Sequence, residues 1–360
     1  MARLGLGAGW SCVLANDHDP AKAATYLANF PDAEDHFRAG DIQALTLADL
    51  PGRADLVWAS SPCQDFSLAG DRAGLAGGRS GALVGVLQLV AGLVAEDRAP
   101  ALMVIENVSG LLTARGGEDV RALFFALKAA GYHFGALEID AAHFLPQSRP
   151  RIFVIASRRP PKAGLTGASP FQTPAICRLR ARLPPDLAPF WIDWALAAPP
   201  PRQSGLADLL EPDDQLVWHD PARTLALLDL MSPRQRARIA ALQGLGARTV
   251  GGLFLRTRTE AGQRRQRAEA RFDGLAGCLR TPGGGSSRQM LILIEAGQVR
   301  TRLITPREAA RLMGLAETYC LPKGRSAGLH LAGDGVVVPV VRWLSAQILE
   351  PLLAQAGPAL

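Results

Sequence analysis

Ala54-Asp55-Leu56-Val57-Trp58-Ala59-Ser60-Ser61-Pro62-Cys63-Gln64 is an apolar run that ends in a Pro-Cys-Gln turn. The run has the length and character of a buried strand. A turn at its end puts one thiol at the rim of a sheet, where open α/β folds keep their chemistry. Reading outward, further strands are predicted at residues 12–16, 102–106, 135–139 and 152–157. Helices are predicted at 20–29, with Pro20 at the first position, at 81–95, with Leu83, Leu87 and Val90 on one face, and at 120–130. Strands alternating with helices predict an α/β fold with a doubly wound, mostly parallel sheet.

The character changes after Ser157. Arg158-Arg-Pro-Pro-Lys162 and Ala198-Pro-Pro-Pro-Arg202 are connectors, and the stretch to about Arg300 has weak periodicity and many arginines. A second, smaller domain is expected over about 158–328. The first is expected over 1–157 plus about 329–360. Regular patterning returns with a helix capped by Thr305 and Glu308, and an apolar helix at about 337–353 is expected to pack on the first domain. The 360 residues suffice for two domains.

Net charge is +6, but residues 230–272 alone hold ten arginines against Glu260 and Glu269, a local +8. Such a surface suits phosphates and base edges, and equally reads as a solvated basic face. The five cysteines form no C-x-x-C pair and the six histidines no metal-like spacing. Neither a metal site nor a disulfide framework is expected, and a reducing cytosol fits best. Residues 4–15 imitate a weak signal peptide but run straight into Asn16-Asp-His-Asp19. The apolar run 81–95 is too short to span a membrane.

Cys63 reads as a nucleophile or as a buried structural thiol. Glu106 ends a strand, where a partly buried carboxyl has a raised pKa and can hold a proton, or makes a structural hydrogen bond. Arg149 and Arg151 alternate at strand period, so both are expected on one face. The glycine-rich stretch from Ser67 to Gly81 reads as a lid over substrate or as a plain loop. Asp17 follows a strand, a position where an acid binds ribose hydroxyls, while Asp19 is placed to cap the helix at Pro20.

In this order, Ser61-Pro-Cys-Gln64, Glu106-Asn-Val108 and Gln147-Ser-Arg149-Pro-Arg151 resemble the cytosine-C5 DNA methyltransferases, from Met1 to about Leu353 with a variable stretch after Ser157. The resemblance implies a Rossmann-like, S-adenosylmethionine-dependent catalytic domain and a target-recognition domain. It implies that Cys63 adds to C6 of a flipped cytosine, that Glu106 serves N3, and that Arg149 and Arg151 are catalytic, with Arg151 at O2. For S-adenosylmethionine it implies Asp17 at the ribose, His18, Asp41 and Ile42 at the adenine, and Pro62 beside the methyl donor. Asp334, Gly335 and Val336 would complete that pocket, with Asp334 where the family more often has Asn. It implies DNA contacts from Gln64, Ser67, Arg79 and Gln147. Further contacts fall to Arg280, Ser286, Ser287 and Arg288, in a stretch that reads equally as a glycine turn in a hairpin. Arg307 and Glu308 match a structural motif. The implied partners are double-stranded DNA and a cognate restriction endonuclease, for a monomer in the bacterial cytoplasm, associated with the nucleoid, with no membrane.

One stretch departs from the pattern. Gly5-Leu-Gly7-Ala-Gly9 looks like a nucleotide-binding loop, but no strand precedes it. In family register Met1 falls after the Phe-x-Gly-x-Gly loop, so residues 1–9 correspond to the following helix. The first strand and its glycine loop are expected to be missing, which would expose sheet edges. A tRNA cytosine methyltransferase is the nearest alternative, but its Cys-Phe-Thr tripeptide is absent. A non-catalytic DNA-binding relative and a nicotinamide oxidoreductase are the others; the latter has no use for Pro-Cys-Gln.

Overall fold

The computed structural model describes residues 1–60, 81–260, 262–281 and 288–356. The chain divides into two compact units, one of residues 1–140, 150–200 and 338–360 and one of residues 141–149 and 201–337.

The first unit opens with α1 (Ala2–Leu6), a helix where the glycine-rich start was expected to be helical. β1 (Ala15–Asp17) leads into α2 (Pro20–Asn29), whose first turn is closed by Asp19 Oδ1 accepting from the Ala21 and Lys22 amides. α3 (Ala33–His36) and β2 (Phe37–Ala39) follow, and β2 runs parallel to β1. β3 (Leu56–Ser60) carries the strand predicted before Cys63. Then come α4 (Ala82–Ala95), β4 (Leu102–Val108), α5 (Glu118–Ala129), β5 (His133–Asp140) and β6 (Pro150–Ser157).

The second sheet of this unit has the order β3-β4-β6-β5. β3 and β4 are parallel, but β6 is antiparallel to both β4 and β5. β3, β4 and β5 thus share one direction and β6 alone runs against them, so the mostly parallel sheet expected from the sequence holds in part. The reason is connection length: the link from β5 to β6 holds no crossover helix, and without one the second strand must return antiparallel. Among the described residues β1 pairs only with β2, and β3 only with β4.

One face of the sheet forms the core. Ala59, Met103, Ile105, Phe134, Ala136, Ile152, Val154 and Ala156 meet Leu83, Leu87 and Val90 of α4 and Val120, Leu123, Phe124 and Leu127 of α5. The rings of Phe124 and Phe134 stack with centroids 4.6 Å apart. The opposite parity carries Trp58, Ser60, Glu106, Arg151 and Phe153, so the predicted chemistry lies on the face turned from this core.

Residues 158–200, expected in the second domain, group with the first unit. The segment around Ile192 docks on β5, with its amide donating to the Phe134 carbonyl at 2.7 Å. Gly135 has no side chain because the Ile192 carbonyl occupies the space a Cβ would need. α6 (Pro174–Ala181) adds Ile176 to the same core.

The second unit holds α7 (Pro221–Asp229), α8 (Pro233–Gly244), β7 (Thr249–Glu260), β8 (Gln263–Arg271), β9 (Met290–Glu295) and β10 (Gln298–Leu303). Its antiparallel sheet has the order β10-β9-β7-β8. Leu227, Met231 and Ile239 of the helical side pack on Leu253, Leu255, Ala268, Ala270, Ile292 and Ile294. α9 (Pro306–Arg311) begins with the predicted reciprocal cap: Thr305 Oγ1 accepts from the Glu308 amide and Glu308 Oε2 from the Thr305 amide. Glu308 also receives both arms of Arg302 at 2.6 and 2.7 Å, a fully buried pair. α10 (Arg325–Asp334) closes this unit. α11 (Val338–Leu344), a π turn at Ser345–Leu349 and α12 (Glu350–Ala356) belong to the first. The helical run Arg325–Gln355 has the length and hydropathy to cross a membrane, yet half of its apolar window is buried inside the fold.

Candidate active site

Three pieces of sequence converge at the ends of β3, β4 and β6. Glu106 is the register partner of Ser60 across the parallel β3–β4 pair. Neighbouring strands lie about 4.8 Å apart, so the chain leaves the sheet beside Glu106 only three residues before Cys63. The Glu106 side chain is 7% exposed, and Arg151 Nε lies 3.2 Å from its Oε1. Arg151 is itself mostly buried and opposite Val108, two pairs along the β4–β6 ladder from the Glu106–Phe153 pair. The arrangement is a buried carboxylate with a guanidinium fixed against it at the mouth of a strand pair.

A second cluster lies at the ends of β1 and β2. Asp17 ends β1 opposite Ala39, and the Gly40 amide donates to the Asp17 carbonyl at 3.0 Å. Asn16 Nδ2 ties the two strands further by donating to the Arg38 and Gly40 carbonyls. Asp17 with His18, and Asp41 with Ile42, thereby stand at or just past the ends of one parallel strand pair. Asp17 Oδ1 accepts from the Asp19 amide at 2.9 Å, and Asp41 Oδ1 accepts from the Gln43 amide at 2.9 Å. Each carboxylate is oriented by backbone and retains a second oxygen. His18 is exposed, with Nδ1 3.9 Å from Asp17 Oδ1.

In the second unit, Arg149 is 2% exposed. Its guanidinium donates to the Leu279, Gly333 and Gly335 carbonyls at 2.7, 2.7 and 2.8 Å. Gly333-Asp334-Gly335-Val336 is therefore held by Arg149, with Asp334 exposed and Val336 buried. Gly333 packs against backbone: a Cβ there would stand 2.5 Å from the Thr281 nitrogen. Gln147 is fully buried, its Nε2 donating to the Leu312 carbonyl at 2.6 Å and its Oε1 accepting from the Leu279 amide.

The family described as C-5 cytosine-specific DNA methylase matches residues 2–350. The chain belongs to that family.

Membership makes it a DNA (cytosine-5-)-methyltransferase by class. The type II methyltransferase M.DsaV of Dactylococcopsis salina is 26% identical over 345 residues, 95% of this chain and 80% of that one. M.BsuFI of Bacillus subtilis, also a type II methyltransferase, is 35% identical over 145 residues, 40% of this chain and 33% of its own length. The structure of the Dnmt2 methyltransferase of S. pombe superimposes with a TM-score of 0.56 at 18% identity, covering 95% of this chain and 91% of that one. It supports a mixed α/β methyltransferase fold.

Among the residues read from the methylase motifs, Pro62, Cys63, Gln64, Ser67, Arg79, Ser286 and Ser287 lie outside the described residues. Arg280 and Arg288 are exposed. Two placements differ from expectation. In place of a DNA contact, Gln147 uses its amide inside the second unit, because a fully buried amide must be satisfied by the protein itself. Among the described residues the two arginines have different partners: Arg149 precedes the first residue of β6 and donates to carbonyls, while Arg151 reaches the Glu106 carboxylate. The count of arginines over residues 230–272 also missed that several face one another across β7 and β8. The signal was there, in the alternation Arg256-Thr-Arg-Thr259 and the mirrored Arg264 to Arg267 about Ala261-Gly262.

Proposed function

We propose that this methylase transfers a methyl group from S-adenosylmethionine to C5 of cytosine within a specific duplex DNA site, through a covalent adduct with Cys63. The observation that carries this reading is the buried Glu106–Arg151 pair standing beside Ser60, three residues before Cys63.

Cytosine C5 is a weak nucleophile. Addition of the Cys63 thiolate to C6 forms an S–C bond and moves the ring electrons toward C5, with Glu106 sharing a proton at N3. Arg151 keeps the Glu106 carboxyl oriented and presents N–H groups toward O2. After the methyl group joins C5, loss of the C5 proton returns the electron pair and expels Cys63. The target base must leave the duplex to meet these groups.

S-adenosylmethionine, when bound, supplies the methyl group. The residues at the ends of β1 and β2 fit it: Asp17 offers an oriented carboxylate for ribose hydroxyls, and Asp41, Ile42 and His18 offer polar and apolar contacts for an adenine. By family resemblance Pro62 is assigned to the methyl donor, and Asp334, Gly335 and Val336 to the same cofactor, with Arg149 as the positioning residue of that last element. The finer fold reading, a doubly wound sheet of the S-adenosylmethionine-dependent kind, belongs to this proposal; the parallel pairs β1–β2 and β3–β4, each carrying site residues at its ends, support it. The second unit reads the DNA site, with Arg280 and Arg288 beside Ser286 and Ser287 among its contacts, and Gln64, Ser67 and Arg79 contribute from the stretch after the nucleophile. A cognate restriction endonuclease is the functional partner, in keeping with relatives named type II methyltransferases, and the bacterial cytoplasm is the compartment.

The test is methyl transfer from labelled S-adenosylmethionine to duplex DNA, followed by digestion to nucleosides. The expected product is the deoxynucleoside of 5-methylcytosine, abolished by Cys63→Ser and strongly reduced by Glu106→Gln. A duplex with 5-fluorocytosine at the target should trap the protein covalently, since its C5 carries no proton to lose. Methyl transfer that survives Cys63→Ser would overturn the mechanism.

A further inference from the structure

β7 pairs with β9 only from Thr249 to Leu253. Beyond that point Phe254–Glu260 continues with β8 alone, so among the described strands the distal part of β7 and β8 is a two-stranded ribbon. At about 3.4 Å per residue it extends roughly 20 Å.

Its register is unusual. Arg256 is directly opposite Arg267, and Arg258 directly opposite Arg265. Opposite residues share a face with Cβ atoms about 5 Å apart, where like charges destabilise the pair. Glu269 answers Arg258 at 2.6 Å and Arg256 at 3.8 Å, and Glu260 answers Arg267 through Nε at 2.9 Å. Four arginines against two glutamates leave this face positive, and Arg264 on the other face adds to it. Arg256, Arg258, Arg264 and Arg265 are exposed. The reverse face near the tip carries Thr257, Thr259 and Gln266, with the buried Leu255 and Ala268 confined to the base. Among the described residues the tip thus has charge and hydrogen-bonding groups and no apolar surface for a protein partner.

We propose that the β7–β8 ribbon enters the major groove of duplex DNA, with the facing pairs Arg256/Arg267 and Arg258/Arg265 on the phosphates and base edges. This rests on the methyltransferase reading and names the element by which the second unit engages its substrate. A two-stranded ribbon fits the major groove of B-form DNA, about 12 Å wide. The deep, narrow major groove of A-form RNA excludes it. The repulsion built into the register is relieved when phosphates approach.

The full-length protein, its Arg258→Gln/Arg265→Gln variant and fluorescent DNA or RNA duplexes test the idea by anisotropy between about 50 and 200 mM salt. The variant should lose at least about tenfold in affinity for DNA, and the slope of log K against log salt should fall by about one per phosphate contact removed. Its melting temperature should stay equal or rise, because a like-charge pair is gone. Dimethyl sulfate should find guanine N7 protected by the wild type and open with the variant.

Unchanged affinity and slope would overturn the proposal, as would equal binding of duplex RNA, no N7 protection by the wild type, or a binding loss that merely tracks a lower melting temperature. If the wild type methylates DNA and the variant binds as tightly, the ribbon alone is refuted. If the wild type binds DNA through the ribbon but transfers no methyl group, the methyltransferase reading fails and the ribbon stands. A wild type that binds no duplex overturns the ribbon.

Discussion

Arg151 Nε stands 3.2 Å from Glu106 Oε1 although the two residues are not opposite each other: Arg151 faces Val108 and Glu106 faces Phe153 across β4 and β6. The contact runs diagonally along one face of the sheet, within reach of a long side chain. It makes the candidate acid and its guanidinium one unit, both largely out of water.

That coupling sets the first prediction. Arg151→Met leaves a buried carboxylate without its cation and should cost about 3 kcal/mol. Glu106→Gln leaves the cation instead. The double variant should be more stable than the sum of the two losses implies, a positive coupling read from urea denaturation of all four proteins. Additive losses would show that the pair is not a unit. Methyl transfer should fall by about a hundredfold or more with Glu106→Gln alone.

Arg149 invites a different expectation. Its fork serves three carbonyls, two of which bracket Asp334. Arg149→Met should destabilise the protein by about 2–4 kcal/mol, since buried acceptors lose charge-assisted donors. Arg149→Lys should recover only part, because an ammonium is a point charge and not a planar fork. In the lysine variant the Kd for S-adenosylmethionine, measured by calorimetry, should rise. Equal affinity would argue that Arg149 does not position the Gly333–Val336 element for the cofactor.

Gly333→Ala probes the same element without touching charge. The added Cβ would stand 2.5 Å from the Thr281 nitrogen and 2.6 Å from the Arg280 carbonyl carbon, and backbone cannot swing aside as a side chain does. A loss of about 1–3 kcal/mol is expected. An unchanged melting temperature would contradict the close approach.

His219 supplies a pH dependence. Burial, followed by the charge of Arg223, holds its imidazole below the usual 6.5. Its Nδ1 lies 3.0 Å from Thr301 Oγ1. The folded state therefore favours the neutral ring. As pH falls through about 6.5 the unfolded chain takes the proton first, so stability should decline from neutral pH downward and level off below the lowered folded pKa. His219→Gln should flatten that decline in urea midpoints measured between about pH 5 and 8. An identical profile in the variant would assign the pH dependence elsewhere.

Much of this architecture was legible in local pattern. The run before Cys63, the apolar β4 and the helix capped by Asp19 all sit where their periodicity and end signals placed them, because strand period, helix period and caps are set by neighbours in sequence. The motif residues were legible too, as a resemblance that the family match bears out. The direction of β6 was not, since pairing partners are chosen by long-range packing. Neither was the membership of residues 158–200 in the first unit, which depends on Ile192 finding the edge of β5.

By itself, then, the sequence determined α2, α4, α5 and the strands β3 to β6 of the first unit, the class of chemistry and the residue types offered to it. Tertiary structure alone decided which groups meet. Arg149 and Arg151, two residues apart, bind carbonyls and a carboxylate respectively. Gln147 is spent inside the fold. Four scattered arginines become facing pairs on one ribbon. Local sequence governs a residue's backbone, but a side chain's partner depends on which distant segment packs beside it, and that is fixed only when the whole chain has folded.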